Sequence, residues 1–233
     1  SSREYVASAP LRAAGPPTAR PSAAPATLAS LLSINGENRA AIEAVTPAIE
    51  ALGDNPPADA WRYFIIRGGA RLEADLWPGA EADLKKALEL APNEATTLNY
   101  LGYSWVERGL HLDEAFDLIE RAVALAPQSG AVTDSLGWAH YQLGDYEKAV
   151  ANLERAATLE PGDPTITDHL GDAYWRQGRR REARFQWRRA LELDPAEDVR
   201  AKIETKLAQG LPPPAAEAAD GPPDMKPLVD ARP

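Results

Sequence analysis

The sequence predicts an all-α fold of antiparallel helix pairs in tandem, and three observations carry that prediction. Four sets of residues recur at a common interval: Pro92, Pro127, Pro161 and Pro195; Ala80, Ala115, Ala149 and Ala183; Ala87, Ala122, Ala156 and Ala190; Gly68, Gly102, Gly137 and Gly171. Every step in every set is 34 or 35 residues. Between these positions the apolar residues keep helical spacing, as in Ala149, Val150, Leu153, Ala156, Ala157 and Leu159, so each period is built of helix. Beyond the last period, Val199, Ile203 and Leu207 fall at i, i+4 and i+8 among charged residues. That is the pattern of a capping helix that closes the final apolar face of a repeat array.

Each register has a physical reason. The Gly of the first helix and the first Ala of the second are small because two helix axes approach closely there. Three of the glycines follow a leucine, in Leu101-Gly102, Leu136-Gly137 and Leu170-Gly171. Gly109, Gly144 and Gly178 come seven residues later, where glycine suits the position just past a helix C-terminus. The closing proline of each period ends the second helix, because it lacks the N–H that a helix interior needs. These marks define four units, at 61–94, 95–129, 130–163 and 164–197. The second unit has one additional residue near His111, in the turn between its helices. The first departs further, with Arg67 where the others have leucine and Asp75-Leu76-Trp77-Pro78 in its turn.

A degenerate helix pair is expected over 27–60, with Gly36 ending a helix at 27–34. Its Ala41, Val45 and Ala48 hold the positions that Ala149, Leu153 and Ala156 hold later. Its link to the next unit, through Gly53-Asp54-Asn55-Pro56-Pro57, is longer than the others. The capping helix is assigned to 198–210. Residues 1–26 and 211–233 are rich in Ala and Pro and poor in large apolar side chains, so both are expected to be disordered.

Composition narrows the function. A net charge of −10 argues against a generic nucleic-acid binder, which needs a basic surface to release counterions. With no cysteine, disulfides and thiolate metal sites are excluded. No run of about 18 apolar residues occurs, so no membrane-spanning helix is expected. The chain opens on Ser1 and its single methionine is Met225. A processed protein or a piece of a longer one is therefore expected, which leaves open a signal peptide or lipid anchor ahead of it.

The stretch LGWAHYQLGDYEKAVANLERAATLEP at 136–161 resembles the tetratricopeptide repeat (TPR) consensus along its length. LGDAYWRQGRRREARFQWRRALELDP at 170–195 resembles it nearly as well. The resemblance covers the four units and implies a right-handed solenoid of helix pairs that serves as a non-enzymatic scaffold or adaptor for a protein or peptide partner. It implies no cofactor and no small-molecule substrate. The phrases NYLGYSWVERG, DSLGWAHYQLG and DHLGDAYWRQGR are similar to the C-terminal repeats of long proteobacterial TPR proteins. Some of those are exported or are outer-membrane lipoproteins, and some recruit a protease or an envelope-assembly complex. The resemblance thus implies a periplasmic or outer-membrane-associated location rather than a cytoplasmic one. A structural subunit, using the array as a permanent or self-association interface, is the alternative.

In this family the first helices line the partner groove. The matching positions here are Arg62, Ile65 and Leu72; Thr96, Asn99, Tyr103 and Val106; Asp134, Trp138, Tyr141 and Gln142; and Thr165, Asp168, Asp172, Trp175 and Arg176. Asn99, Asp134 and Asp168 share one register, so a row of polar acceptors for a peptide backbone is expected, flanked by the aromatic Tyr103, Trp138, Tyr141 and Trp175. The Lys/Asn/Arg set that clamps a chaperone's terminal carboxylate is missing. The acidic, aromatic groove should prefer a neutral or basic peptide.

Other signals weigh less. Arg179, Arg180, Arg181, Arg184, Arg188 and Arg189 form a basic cluster, read as a solvated helix face or a docking patch for an acidic partner or phosphate head groups. Of the histidines His111, His140 and His169, His140 stands where the consensus has Tyr and is read as a packing residue. Repeat geometry gives no reason for the three to converge on a metal. Gly68-Gly69 lacks phosphate-loop spacing, and Ser104 in GYSW sits in no nucleophile elbow. No catalytic residue is assigned.

Overall fold

A computed structural model of the chain describes residues 24–213. The stretch up to residue 23 and the tail from residue 214 onward, both read above as disordered, lie outside the described residues. Among the described residues are eleven α-helices and one 3₁₀ turn, Ala58–Ala60. In order they are α1 (Ala24–Ile34), α2 (Asn38–Glu50), α3 (Trp61–Glu73), α4 (Trp77–Leu90), α5 (Ala95–Arg108) and α6 (Leu112–Leu125). There follow α7 (Gly130–Gln142), α8 (Tyr146–Leu159), α9 (Pro164–Arg176), α10 (Arg180–Glu192) and α11 (Glu197–Gln209). The first helix begins at Ala24, inside the stretch 1–26 that composition had marked as disordered. Its Pro25 falls in the first turn, where a missing N–H costs nothing.

The chain divides into two compact units, one ending at Leu101 and the other beginning at Gly102. In the first, α1 packs on α2, α2 on α3 and α3 on α4. Its core holds Ala29, Ala41, Val45, Ile49, Tyr63, Phe64 and Ala87. Arg67, standing where other units have leucine, does not face solvent alone. Its guanidinium reaches across to Asp83 of α4, with Nε 2.9 Å from Oδ2 and Nη2 2.7 Å from Oδ1. Arg71 adds a third contact, Nη1 to Oδ2 at 2.6 Å. Asp83 is buried.

In the second unit each helix from α6 to α11 packs on the next, and α7 also touches α9. The core gathers Ala149, Leu153, Leu170, Tyr174, Ala183, Trp187, Ala190 and Ile203. The repeat glycines mark where helices meet. A Cβ on Gly137 would lie 2.6 Å from Leu153 Cγ, and one on Gly171 would lie 2.5 Å from the Trp187 ring. Side-chain caps start three of these helices. Ser129 Oγ accepts from Val132 N–H, Asp145 from Lys148 N–H, and Asp163 from Thr165 and Ile166 N–H.

The turns explain two irregularities of the sequence. Gly144 and Gly178 take left-handed backbone conformations, and so does Gly109. In the first unit Asp75 occupies that same position, at φ 57°. The additional residue of the second period is absorbed by a second left-handed residue, His111 at φ 45°, whose ring lies 4.9 Å from that of Trp105.

Candidate functional site

The groove positions of α7 and α9 come together along one face, where the two helices lie side by side. Asp134 on α7 meets His169 on α9, with Nδ1 3.0 Å from both carboxylate oxygens. Asp168 and Asp172, one turn apart on α9, both receive the Lys206 ammonium of α11, at 2.7 and 2.8 Å. Asp172 also accepts from Trp187 Nε1 at 2.8 Å. All three carboxylates are buried. Two of the three acceptors expected in a row, Asp134 and Asp168, are therefore already engaged, by His169 and Lys206. Of the oxygens of these three aspartates, Asp168 Oδ1 is buried without a hydrogen-bond partner.

These contacts set the titration behaviour. Burial disfavours the charged His169 ring, but Asp134, with its hydrogen bond, and the nearby Asp172 and Asp168 outweigh it. The net pKa lies above the ordinary 6.5. For Asp172 burial dominates and raises the pKa, although Lys206 opposes it. A histidine with a raised folded-state pKa contributes stability in full below its unfolded value. That contribution is lost as pH rises through the folded value. Urea unfolding is thus expected to show stability falling as pH rises above about 6.5. The His169→Gln chain should show a flatter profile there, and an unchanged slope would remove His169 as its source.

The aromatic positions divide into two groups. Trp138 is sandwiched between Tyr141, at 4.5 Å and 7° between planes, and His169, at 4.0 Å and 16°. Its indole N–H donates to Glu107 Oε1. Tyr103 is half-buried and hydrogen-bonded to Glu107. Burial first, then the Glu107 and Asp134 carboxylates, push its pKa well up. The Tyr141 phenol accepts from Arg176 Nε at 3.1 Å; burial and Asp172 push its pKa up to about 12. Trp138, Tyr141 and Tyr103 keep part of their surfaces open.

Trp175 and Arg176 are used internally. Gly210 sits so close on the Trp175 ring that a Cβ there would lie 2.1 Å from Cζ2, and Arg180 stacks on the same ring at 3.8 Å from its centroid. Arg176 Nη1 donates to the Pro212 carbonyl at 2.5 Å. Val106 is buried. Asn99, in the first unit, has a buried Oδ1 with no hydrogen-bond partner.

Comparison with known proteins names the repeat. The tetratricopeptide repeat pattern matches residues 67–130 and 168–197, and the pattern described as TPR repeat matches residues 137–178. The chain belongs to the tetratricopeptide repeat family. A TPR repeat-containing protein of Pseudomonas aeruginosa is 39% identical over 64 residues, which make up 28% of this chain but 11% of that protein. Among solved structures, a thermophilic TPR protein of Thermus thermophilus superposes with a TM-score of 0.66 at 24% identity, covering 79% of this chain and 98% of that one. The pilF protein of Pseudomonas aeruginosa gives 0.62 at 19% identity, covering 79% and 82%. MamA of Desulfovibrio magneticus, from residue 41 to its end, gives 0.57 at 19%, covering 75% and 96%. At such identities the likeness is one of fold. TPR arrays as a family are protein-interaction scaffolds and are generally non-catalytic.

The basic cluster of this TPR chain is mostly committed. Arg179 pairs with Glu182 and Glu154, Arg180 donates to the Trp175 carbonyl, Arg184 to the Leu207 carbonyl and Arg189 to the Pro161 carbonyl. Arg181 and Arg188 are exposed and have no such partner among the described residues. His140, read as a packing residue, is buried with its ring edge-on to Phe116 at 4.9 Å. Among the described residues no three His, Cys, Asp or Glu side chains are grouped to hold a metal, and no helix is long and apolar enough to cross a membrane.

Three residues that hold this surface in place were not assigned to it from the sequence: His169, Lys206 and Glu107. For Lys206 a signal existed, since it stands 34 residues after Asp172 and so continues that register into the capping helix.

Proposed function

We propose that this chain is a non-catalytic scaffold that holds a neutral or basic peptide segment of a partner protein on the aromatic surface formed by Tyr103, Trp138 and Tyr141. The observation that carries this reading is the Tyr141–Trp138–His169 stack, part of whose surface stays open while its back is fixed by the Asp134 contact. A half-exposed indole normally loses rotamer freedom when it binds. Here that freedom is already spent in the fold, so a partner gains contact area at little entropic cost. Glu107 at the rim, exposed and carboxylate-bearing, favours a cationic or neutral neighbour over an acidic one.

The test is paired substitution. Trp138→Ala with Tyr141→Ala should weaken capture of the natural partner by at least about tenfold, the loss expected when a hot spot is truncated. The helical circular dichroism should stay that of a folded array. Glu107→Gln keeps an acceptor for the Trp138 N–H and removes only the charge, and it should weaken capture of a basic segment. A double variant that captures the same partner with unchanged affinity would move the site elsewhere.

A further inference from the structure

We propose that a second copy of this chain docks the outer face of α10 into a pocket beside α6, forming a head-to-tail contact. The pocket, of about 400 Å³, lies among α6, α7 and the start of α8. Leu112, Phe116, His140 and Leu143 form its apolar part, and Leu143 is 53% exposed. Asp113 and Asp117, one turn apart, stand at its rim. Lys148 is also at the rim but is held by Asp145 at 2.9 Å. Asp113 and Asp117 have no hydrogen-bond or ion-pair partner among the described residues.

The complement lies on α10. Phe185 is 61% exposed, an unusual placement for a ring of that size on a charged helix. Arg181 and Arg188 bracket it, one turn before and one turn after, and these are the two arginines of the cluster without an internal partner. One surface is thus an apolar pocket rimmed by two unpaired carboxylates. The other is a benzyl group between two unpaired guanidiniums.

The repeat sharpens the match. Asp113, Glu147 and Arg181 share a register, as do Asp117, Ala151 and Phe185, and Glu120, Glu154 and Arg188. Equivalent outer positions are therefore acidic or small on α6 and α8, and turn basic and aromatic on α10. Outer helix positions are free of the packing that fixes the inner registers, so opposite chemistry at one register is not imposed by the fold. Because pocket and stripe are different surfaces, the contact is heterologous and propagates unless a ring closes.

A contact this small gives a dissociation constant on the order of 10⁻⁴ M, and its ionic component weakens as salt is raised. Sedimentation velocity of the full chain should show concentration-dependent association at low salt that fades at high salt. Phe185→Ser should weaken it by at least about tenfold. Charge reversal is decisive. Arg181→Glu with Arg188→Glu should be monomeric, and so should Asp113→Arg with Asp117→Arg, since each then faces like charge with like. Mixed together, the two reversed chains should associate again, because each carries what the other's surface requires. A wild-type chain that stays monomeric at every concentration overturns the proposal and assigns the two surfaces to other partners. Association that survives either reversal, or a mixture that stays monomeric, overturns it equally. All four positions that change charge are on the surface, so circular dichroism of each variant should match the wild type.

Discussion

Replacing Lys206 with methionine is expected to destabilise the second unit by about 3 kcal/mol or more at neutral pH, because it strands two buried carboxylates. The Lys206 ammonium is the charged partner of both Asp168 and Asp172, and the side chains are 16%, 11% and 7% exposed. Methionine preserves the length and apolar stem of lysine, so the packing of α11 through Ile203 is left in place. What is lost is the compensation for desolvating the aspartates. Against a total of about 5–15 kcal/mol for a typical domain, this is a large fraction.

The deficit should depend on pH in a definite direction. Asp172 already has a raised folded-state pKa, chiefly from burial. A carboxyl of that kind favours the fold in its neutral form, so its contribution is present in acid and lost as pH rises through the folded value. Without Lys206 that value rises further. The gap between variant and wild type should be widest at neutral pH and should narrow as pH falls toward the ordinary carboxylate range. Chemical unfolding at both pH values checks this. Adding Asp168→Asn and Asp172→Asn to Lys206→Met should recover much of the loss, since asparagine can still accept from Trp187. Wild-type-like unfolding of the single variant would mean that water screens the cluster.

The same cluster shows how far the sequence could be read. Helix pairs and turns were visible because each rests on a residue type that the local geometry demands: Gly137 and Gly171 at helix contacts, Gly144 and Gly178 in left-handed turns. The surface was less legible. Asp134 was aligned with Asp168 along the 34-residue register, as though both faced outward. The bond that forms instead joins Asp134 to His169, one residue off that register, because adjacent first helices offer neighbouring positions to each other. Tyr141 and Arg176 are offset in the same way, again by 35 residues. A periodicity finds equivalent residues; it does not find the residues that touch. Trp175 illustrates the consequence, since it holds a groove register yet is covered by Gly210 beyond the end of α11.

The exchange of leucine for Arg67 leads to the second large effect. Arg67→Leu alone should cost the first unit about 2 kcal/mol or more, and Asp83→Leu alone about 3 kcal/mol or more, because each leaves a buried charge short of its partner. Arg67 and Asp83 side chains are 13% and 4% exposed, and the two bonds between them are two-pronged. The equivalent positions one period later are Leu101 and Leu118, both buried. The double variant Arg67→Leu with Asp83→Leu therefore places at both positions the residue type that the next period carries there. It should unfold within about 1 kcal/mol of the wild type, as buried ion pairs replaced by apolar residues commonly do. Arg71 loses Asp83 in that variant but keeps its bond to the Gly79 carbonyl at 3.1 Å and, at 23% side-chain exposure, reaches water. Urea unfolding of the four chains gives a coupling energy, expected at about 4 kcal/mol or more in magnitude. Strictly additive losses would show that Arg67 and Asp83 act independently and that the departure from leucine has some other cause. A strong coupling would show that Arg67 and Asp83 act as one element in holding α3 against α4.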